Sequence, residues 1–483
     1  MRRSIIASCA LLLAAAPLAA QKAAPADRTG SMLRALDGRA PRYAEIAKQI
    51  WGFAEVGYQE TKSSALLSGE LEQAGFTVKR GVAGEPTGFT AEYGSGKPVI
   101  AILGEFDALP GLSQEAASAS QRAITTGGAG HGCGHNLFGT ASAAAAISVK
   151  EWMIANKVSG TLRFYGTPAE EGGSGKVYMV RDGLFNDVDA VVAWHPGGSN
   201  GVSVTSTLAN ITGKFRFHGI SSHAAAAPER GRSALDAVEI MDVAVNFMRE
   251  HVPQDTRIHY VITNGGKAPN VVPDFAEVYY YARQNDMRIL SDIWERIQNA
   301  AKGAALATGT TYDLEVTGAV YNVLPNEALA RVQQKNLERV GGFTYTPEER
   351  AFAEKLQQSF LPGTVVPLEA AARVEPLRVG GFTSASSDVG DISWMVPTVQ
   401  LSAATFVPGT PGHSWQAVAS AGSSIGAKGM MVAAKTIALT VGDLFLYPAT
   451  IANAKAELLD RRGKDFVYKS AIGTRAPALD YRK

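Results

Sequence analysis

The sequence predicts an α/β protein: a mixed, mostly parallel sheet interrupted by an inserted domain of β-α-β-β-α-β order, the ferredoxin-like arrangement. Three observations carry this reading. Short continuous apolar runs alternate with stretches of helical periodicity, as in a sheet covered on both faces. Near Asn210 those runs give way to apolar–polar alternation. Finally, 483 residues exceed what one hydrophobic core usually supports.

The elements follow in order. Arg2 and Arg3 precede an apolar run, Ile5 to Ala16, and Pro17-Leu18-Ala19-Ala20 supplies small residues for cleavage. Residues 1–20 therefore read as a secretory signal, and export to the periplasm or beyond is expected. The run is shorter than the ~20 residues of a membrane span, and no later segment is expected to cross a bilayer. Residues 28 to 72 show helical spacing at Ile46, Ile50, Phe53 and Leu71. Val99–Leu103, Thr161–Tyr165 and Ala190–Trp194 read as buried strands, separated by an Ala-rich helix from Phe138 to Met153 and a short helix from Gly175 to Arg181. The inserted unit runs through a strand at Ile211–His218 and a helix at Ser233–Glu250. Strands at Arg257–Thr263 and Phe275–Arg283 come next, then a helix at Ile289–Leu306 and a strand at Thr311–Val316. Long helices and the strand Thr398–Leu401 return to the first domain. The expected division is 28–208 with 325–483 for the main domain and 209–324 for the insert.

Composition narrows the function. With 46 Lys+Arg against 45 Asp+Glu there is no charge excess of the kind that draws nucleic acid or a membrane surface, and 46% hydrophobic residues argue against disorder. Loss of the signal would change the formal charge from +1 to −1 and remove Cys9, leaving Cys133 with no intramolecular disulfide partner.

Polar clusters follow the predicted strands, and in α/β sheets ligands bind beyond the carboxyl ends of strands. They are Glu105-Phe-Asp107, Glu170-Glu171, His195-Pro196 and Pro411-Gly-His413, with the loop Gly130-His131-Gly-Cys133-Gly-His135 beside them. Thiolate, imidazole and carboxylate converging at loop ends are what a Zn2+- or Mn2+-type ion requires. Of two adjacent glutamates, one can ligate while the other stays free as a base. Two other readings stand beside this one. In the first, Cys133 is a nucleophile with His131 or His135 as its base. In the second, the chain is a non-catalytic metal- or peptide-binding protein on a hydrolase scaffold.

As an ordered set, Gly104-Glu-Phe-Asp-Ala-Leu-Pro, Gly130-His-Gly-Cys-Gly-His-Asn, Ser387-Asp-Val-Gly-Asp391 and Gly409-Thr-Pro-Gly-His-Ser-Trp resemble the co-catalytic metal amidohydrolase and carboxypeptidase family, which includes aminoacylases and auxin-conjugate hydrolases. The resemblance implies two divalent ions, Zn2+ or Mn2+, bridged by Cys133 and held further by His135, Glu171, His195 and His413. It implies Glu170 as general base and Asp107 as the carboxylate orienting a metal-binding imidazole. Glu105 stands where many relatives carry a histidine, and His135 is expected to supply that imidazole. In the insert, Gly219-Ile-Ser-Ser-His223 and Ala268-Pro-Asn270 resemble the segments that stabilise the oxyanion, His223 from a partner subunit. Arg283 is a candidate for holding an anionic substrate group. The implied reaction is hydrolysis of an N-acyl or N-aroyl amino acid, with p-aminobenzoyl-glutamate the leading substrate and another small aromatic amide or a dipeptide the alternative. The insert is then a lid and dimerisation domain, in a homodimer or with a related second subunit.

Overall fold

A computed structural model describes residues 28–482; the expected signal peptide and Cys9 lie outside them. An eight-stranded mixed sheet contains β1 (Thr77–Arg80), β2 (Phe89–Ser95), β3 (Val99–Glu105), β4 (Gly160–Thr167), β5 (Ala190–Gly197) and β6 (Gly201–Ser206). The inserted strands β7 (Ala209–His218), β8 (Arg257–Asn264), β9 (Phe275–Gln284) and β10 (Thr311–Val320) form a separate four-stranded sheet. β11 (Arg378–Phe382) and β12 (Thr398–Ala404) complete the large sheet, in the order β1-β2-β4-β3-β5-β12-β6-β11.

β4, β3, β5 and β12 are mutually parallel, so their carboxyl ends gather at one edge of the sheet. β3 is buried along its whole length, as its continuous apolar run requires. α1 (Gly30–Phe53), α2 (Thr61–Gln73) and α3 (His135–Asn156) are the first helices in the chain. The expected stretch of helix from 28 to 72 is thus two helices. Ala54, left-handed at φ 43°, ends α1.

The insert has the expected order, with α4 (Gly175–Arg181) preceding it and α5 (Ala234–Met248) and α6 (Met287–Thr308) within it. Its antiparallel order β10-β7-β9-β8 places the first and third strands side by side at the centre. α5 and α6 cover one face, burying Val238, Met241, Val245, Leu290 and Ile297 in a core distinct from that of the large sheet. Along β9 residues alternate between buried and half-exposed, leaving Tyr279, Tyr281 and Arg283 on the open face.

The sequence expectation of no bilayer-length segment needs correction. After α7 (Glu327–Val340), α8 (Pro347–Gln357), α9 (Val389–Met395) and α10 (Trp415–Ala421), helix α11 (Ser424–Leu446) is long and apolar enough to cross a membrane by length and composition alone. It packs against α3, α1 and α7, however, and 83% of its most apolar stretch is buried inside the protein, so its apolarity serves the core. α12 (Pro448–Arg462) is the last helix.

Candidate metal centre

The strand ends bring the predicted groups together. Glu105 closes β3 and Asp107 follows it; Glu170 and Glu171 lie in the turn after β4; His195 sits within β5; and His135 opens α3. α3 can start there because Gly134 takes φ 75°, and a Cβ on it would lie 2.8 Å from Pro196. Three further residues at the site hold left-handed backbone without being glycine: Ala169 (φ 55°), Ser174 (φ 58°) and His413 (φ 51°). Such outliers persist only where the surroundings hold them.

Two ligand sets share one sulfur. Cys133, His135 and His195 present atoms within 4.8 Å of one another, and so do Cys133, Glu171 and His413. Cys133 Sγ lies 3.4 Å from His195 Nε2, and His413 Nε2 lies 3.3 Å from Glu171 Oε1. The remaining imidazole nitrogens are engaged away from the centre: His195 Nδ1 with the Pro196 carbonyl at 2.8 Å, and His135 Nδ1 with Asp107 Oδ1 at 2.9 Å. Both rings therefore turn Nε2 inward. The other oxygen of Asp107 accepts from the Glu171 amide at 2.9 Å, so one carboxylate aligns two candidate ligands.

The donor set fits divalent ions. His135 Nε2 faces Glu105 Oε2 at 3.1 Å and Glu171 Oε1 faces His413 Nε2 at 3.3 Å; the first three of these atoms are buried, turned on their partners without hydrogen-bond geometry, an arrangement that an ion or water between them would satisfy. Charge acts in the same direction. Burial alone would raise the Cys133 thiol, yet the His195 and His135 imidazoles hold it well below the usual thiol range. His413 is pushed up to about 10 by its hydrogen bonds to Cys133 and Glu171. Burial, then Glu105 and Glu171, raise the Glu170 carboxyl well above the ordinary carboxylate range.

His131 does not join the cluster. It is buried with Nε2 at 3.1 Å from the Ile50 carbonyl, and burial lowers it to about 4. His223 and Asn270 meet each other on the insert, through a bridge from His223 to Val271 and a bond from the Ala224 amide to the Asn270 carbonyl. Both are exposed, and among the described residues no hydrogen bond or ion pair joins them to the metal ligands. His223 Nδ1 accepts from the amides of Ala225 and Ala226, which leaves the ring proton on Nε2. Arg283 lines a cleft of about 810 Å3 with Arg257, His259, Tyr279 and Tyr281. Tyr281 also walls a cavity of about 150 Å3 beside Glu170 and Glu171, where Asn210 and Ser386 each carry a buried oxygen without a partner.

Sequence reasoning missed a buried cation. Lys176, fully buried, places Nζ 2.8 Å from Glu105 Oε1 and 2.7 Å from Asp388 Oδ1, while its amide donates to Asp388 Oδ2 at 2.9 Å. It pairs the carboxylates of Glu105 and Asp388. The Ser387-Asp388 motif was visible, but nothing local tied it to a lysine 212 residues away.

Comparison with known proteins gives the family. Residues 101–366 match Peptidase family M20/M25/M40. The chain is 44% identical to a subunit of p-aminobenzoyl-glutamate hydrolase from Escherichia coli over 88% of its own length and 93% of that protein's. It is 29% identical to Xaa-Arg dipeptidase of Mus musculus over 87% and 90%. Among solved structures, a dinuclear metal binding peptidase of the M20 family from Bacillus subtilis superposes with a TM-score of 0.58 at 16% identity, covering 85% of this chain and 99% of that one. An aminobenzoyl-glutamate utilization protein from Klebsiella pneumoniae gives 0.57 at 18% identity, covering 84% and 96%. By fold and sequence, this chain belongs to peptidase family M20/M25/M40 and is a metal-dependent amide hydrolase.

Proposed function

We propose that the protein cleaves the amide joining an acyl or aroyl group to an amino acid, with p-aminobenzoyl-glutamate as the leading substrate and p-aminobenzoate and glutamate as products. The observation that carries the reaction is the pair of ligand sets sharing Cys133, with Glu170 in neither of them but grouped with Glu105 and His135 at their side. The 44% identity over nearly all of a p-aminobenzoyl-glutamate hydrolase chain supports the substrate.

Cys133, His135 and His195 would hold one divalent ion, and Cys133, Glu171 and His413 the other, Zn2+ or Mn2+. When bound, such ions polarise the amide carbonyl and lower the pKa of water towards ~7. Glu170 takes a proton from the attacking water and returns it to the departing nitrogen as the C–N bond breaks. Asp107 keeps His135 in the tautomer with Nε2 free. His223 and Asn270, paired on the exposed surface of the insert, act on the oxyanion in a partner subunit's site, in a homodimer or with a related second chain. Arg283 holds a substrate carboxylate in the cleft that shares Tyr281 with the cavity beside Glu170 and Glu171. Arg257 and Arg283 against the single acid Asp255 in that cleft favour an anionic leaving group over the basic one of an Xaa-Arg substrate. Export follows from Arg2, Arg3 and the apolar run to Ala16.

The test is metal content per chain with p-aminobenzoyl-glutamate hydrolysis assayed before and after chelation. About two ions per chain and chelation-sensitive glutamate release support the reading. Two ions without turnover keep the reaction class and remove the substrate. Full activity without metal, lost on alkylating Cys133, replaces it with thiol catalysis.

A further inference from the structure

The segment after α12 crosses the molecule and finishes on the metal centre. Phe466 packs on Trp394 at 4.9 Å between ring centres, and Tyr468 donates to Asp391 at 2.7 Å. Ile472 is buried in the core of the insert, and Arg475 donates to the Val316 carbonyl of β10 and to the Tyr178 hydroxyl. Gln59 then donates to the Leu479 carbonyl at 2.8 Å. Last, the Tyr481 hydroxyl and Arg482 Nη2 both donate to one acceptor, the Glu171 carbonyl, at 2.9 and 2.7 Å.

That carbonyl belongs to a metal-binding residue in a strained turn. Ala169 and Ser174 on either side are left-handed. The turn is held by the main domain at the Ala169 amide (Glu60, 2.8 Å), the Glu171 amide (Asp107, 2.9 Å) and the Gly173 carbonyl (Tyr58, 2.9 Å). The Glu171 carbonyl is held by Tyr481 and Arg482. Tyr481 is seated against Tyr58, with ring centres 5.8 Å apart, and a Cβ at Gly57 would lie 2.2 Å from its hydroxyl, so the site is shaped to receive it. With its amide and its carbonyl both held, the two peptide planes that flank the Glu171 Cα are set, and with them the direction in which its carboxylate leaves the turn.

We propose that Tyr481 and Arg482 are positioning residues of the metal centre, aiming the Glu171 carboxylate at Cys133 and His413 by holding its own backbone carbonyl. The ion pair Glu171–His413 depends most on that aim, since His413 is exposed and comes from a loop of left-handed backbone. This role rests on the metal reading above. Segment 464–482, anchored on the insert through Ile472 and Arg475, completes the support of a ligand whose own amide is held by Asp107.

The test uses full-length protein with Tyr481→Phe, Arg482→Met and both together. Co2+ and Zn2+ affinities are measured by competition with a chelator, the visible spectrum of the Co2+ form is recorded, and the melting temperature of the metal-stripped protein is followed. Each single variant is expected to weaken the looser ion about tenfold and the double variant more, within the ten- to hundredfold range typical of such outer partners. The Co2+ spectrum changes while the melting of the stripped protein does not. Arg482→Lys, which keeps a donor, restores most of the affinity, and Val467→Ser, at an exposed position of the same segment, has no effect. Affinity within twofold of wild type in the double variant, or a loss matched by lower melting of the stripped protein, overturns the proposal. A wild type that takes up no metal removes the metal reading as well; equal binding by wild type and variants removes this inference alone.

Discussion

Lys176→Met tests the buried cation shared by Glu105 and Asp388. Methionine keeps the length and apolar stem but leaves Glu105 and Asp388 without their shared ammonium. At 2.8 and 2.7 Å and an effective dielectric near 20, each contact corresponds to about 6 kcal/mol of attraction, most of it offset by burying the charges. Removing one member of such a cluster typically costs about 3–5 kcal/mol, and that is the expected loss at pH 7. The variant can relieve the repulsion by taking up a proton on the carboxylate pair. In the wild type, burial pushes Asp388 up to about 6, and Lys176 stops it rising further. Without the lysine the folded variant retains a proton above pH 6 that both its unfolded chain and the folded wild type have released. Its stability therefore falls relative to wild type as pH rises, by about 1.4 kcal/mol per unit. Urea unfolding at pH 6 and pH 8 should show a deficit about 2–3 kcal/mol larger at pH 8. A deficit below about 1 kcal/mol, or one independent of pH, would refute the reasoning, because either result means the cluster does not depend on the lysine's charge.

Glu170→Gln is expected to lower kcat by about 10²–10⁴-fold while metal content stays at the wild-type level, which elemental analysis beside steady-state kinetics will check. Asp107→Asn can turn an amide donor towards His135 Nδ1, drive the ring proton to Nε2 and block the ligand atom; chelator competition should show metal affinity down at least about tenfold. Asp391, buried under the Tyr468 hydroxyl and the Tyr321 amide, is pushed up to about 7 by burial. Its folded form keeps a proton that the unfolded chain has lost, so it makes stability decline between about pH 4 and 7, at up to about 1.4 kcal/mol per unit. Asp391→Asn should flatten thermal or urea stability profiles over that window.

Most of the site was legible because it is built from short motifs at the ends of recognisable strands. The apolar runs at 99–103, 161–165 and 190–194 mark parallel strands whatever their order, and residues just beyond their carboxyl ends must share an edge. β1, β2, β6 and β11 went unread. β1 and β11 are short exposed strands of four and five residues, and β2 and β6 carry only a brief apolar–polar alternation (Phe89, Ala91, Tyr93; Val202, Val204) with no continuous apolar run. The apolar length of α11 reflects burial by three other helices, a property of packing that hydropathy along the chain does not report.

Residue type and spacing were enough to establish the chemistry on offer: one thiol, a pair of glutamates and a set of histidines at strand ends, with an insert whose alternation fits a half-covered antiparallel sheet. Those properties are local. How the groups are held is a matter of tertiary packing. Only folding joins Lys176 to Asp388 across 212 residues, lets one Asp107 carboxylate serve both His135 and Glu171, and carries Tyr481 and Arg482 across the insert to the Glu171 carbonyl. Burial makes those links matter, because away from water an unpaired charge or a misdirected ligand has no solvent to compensate it.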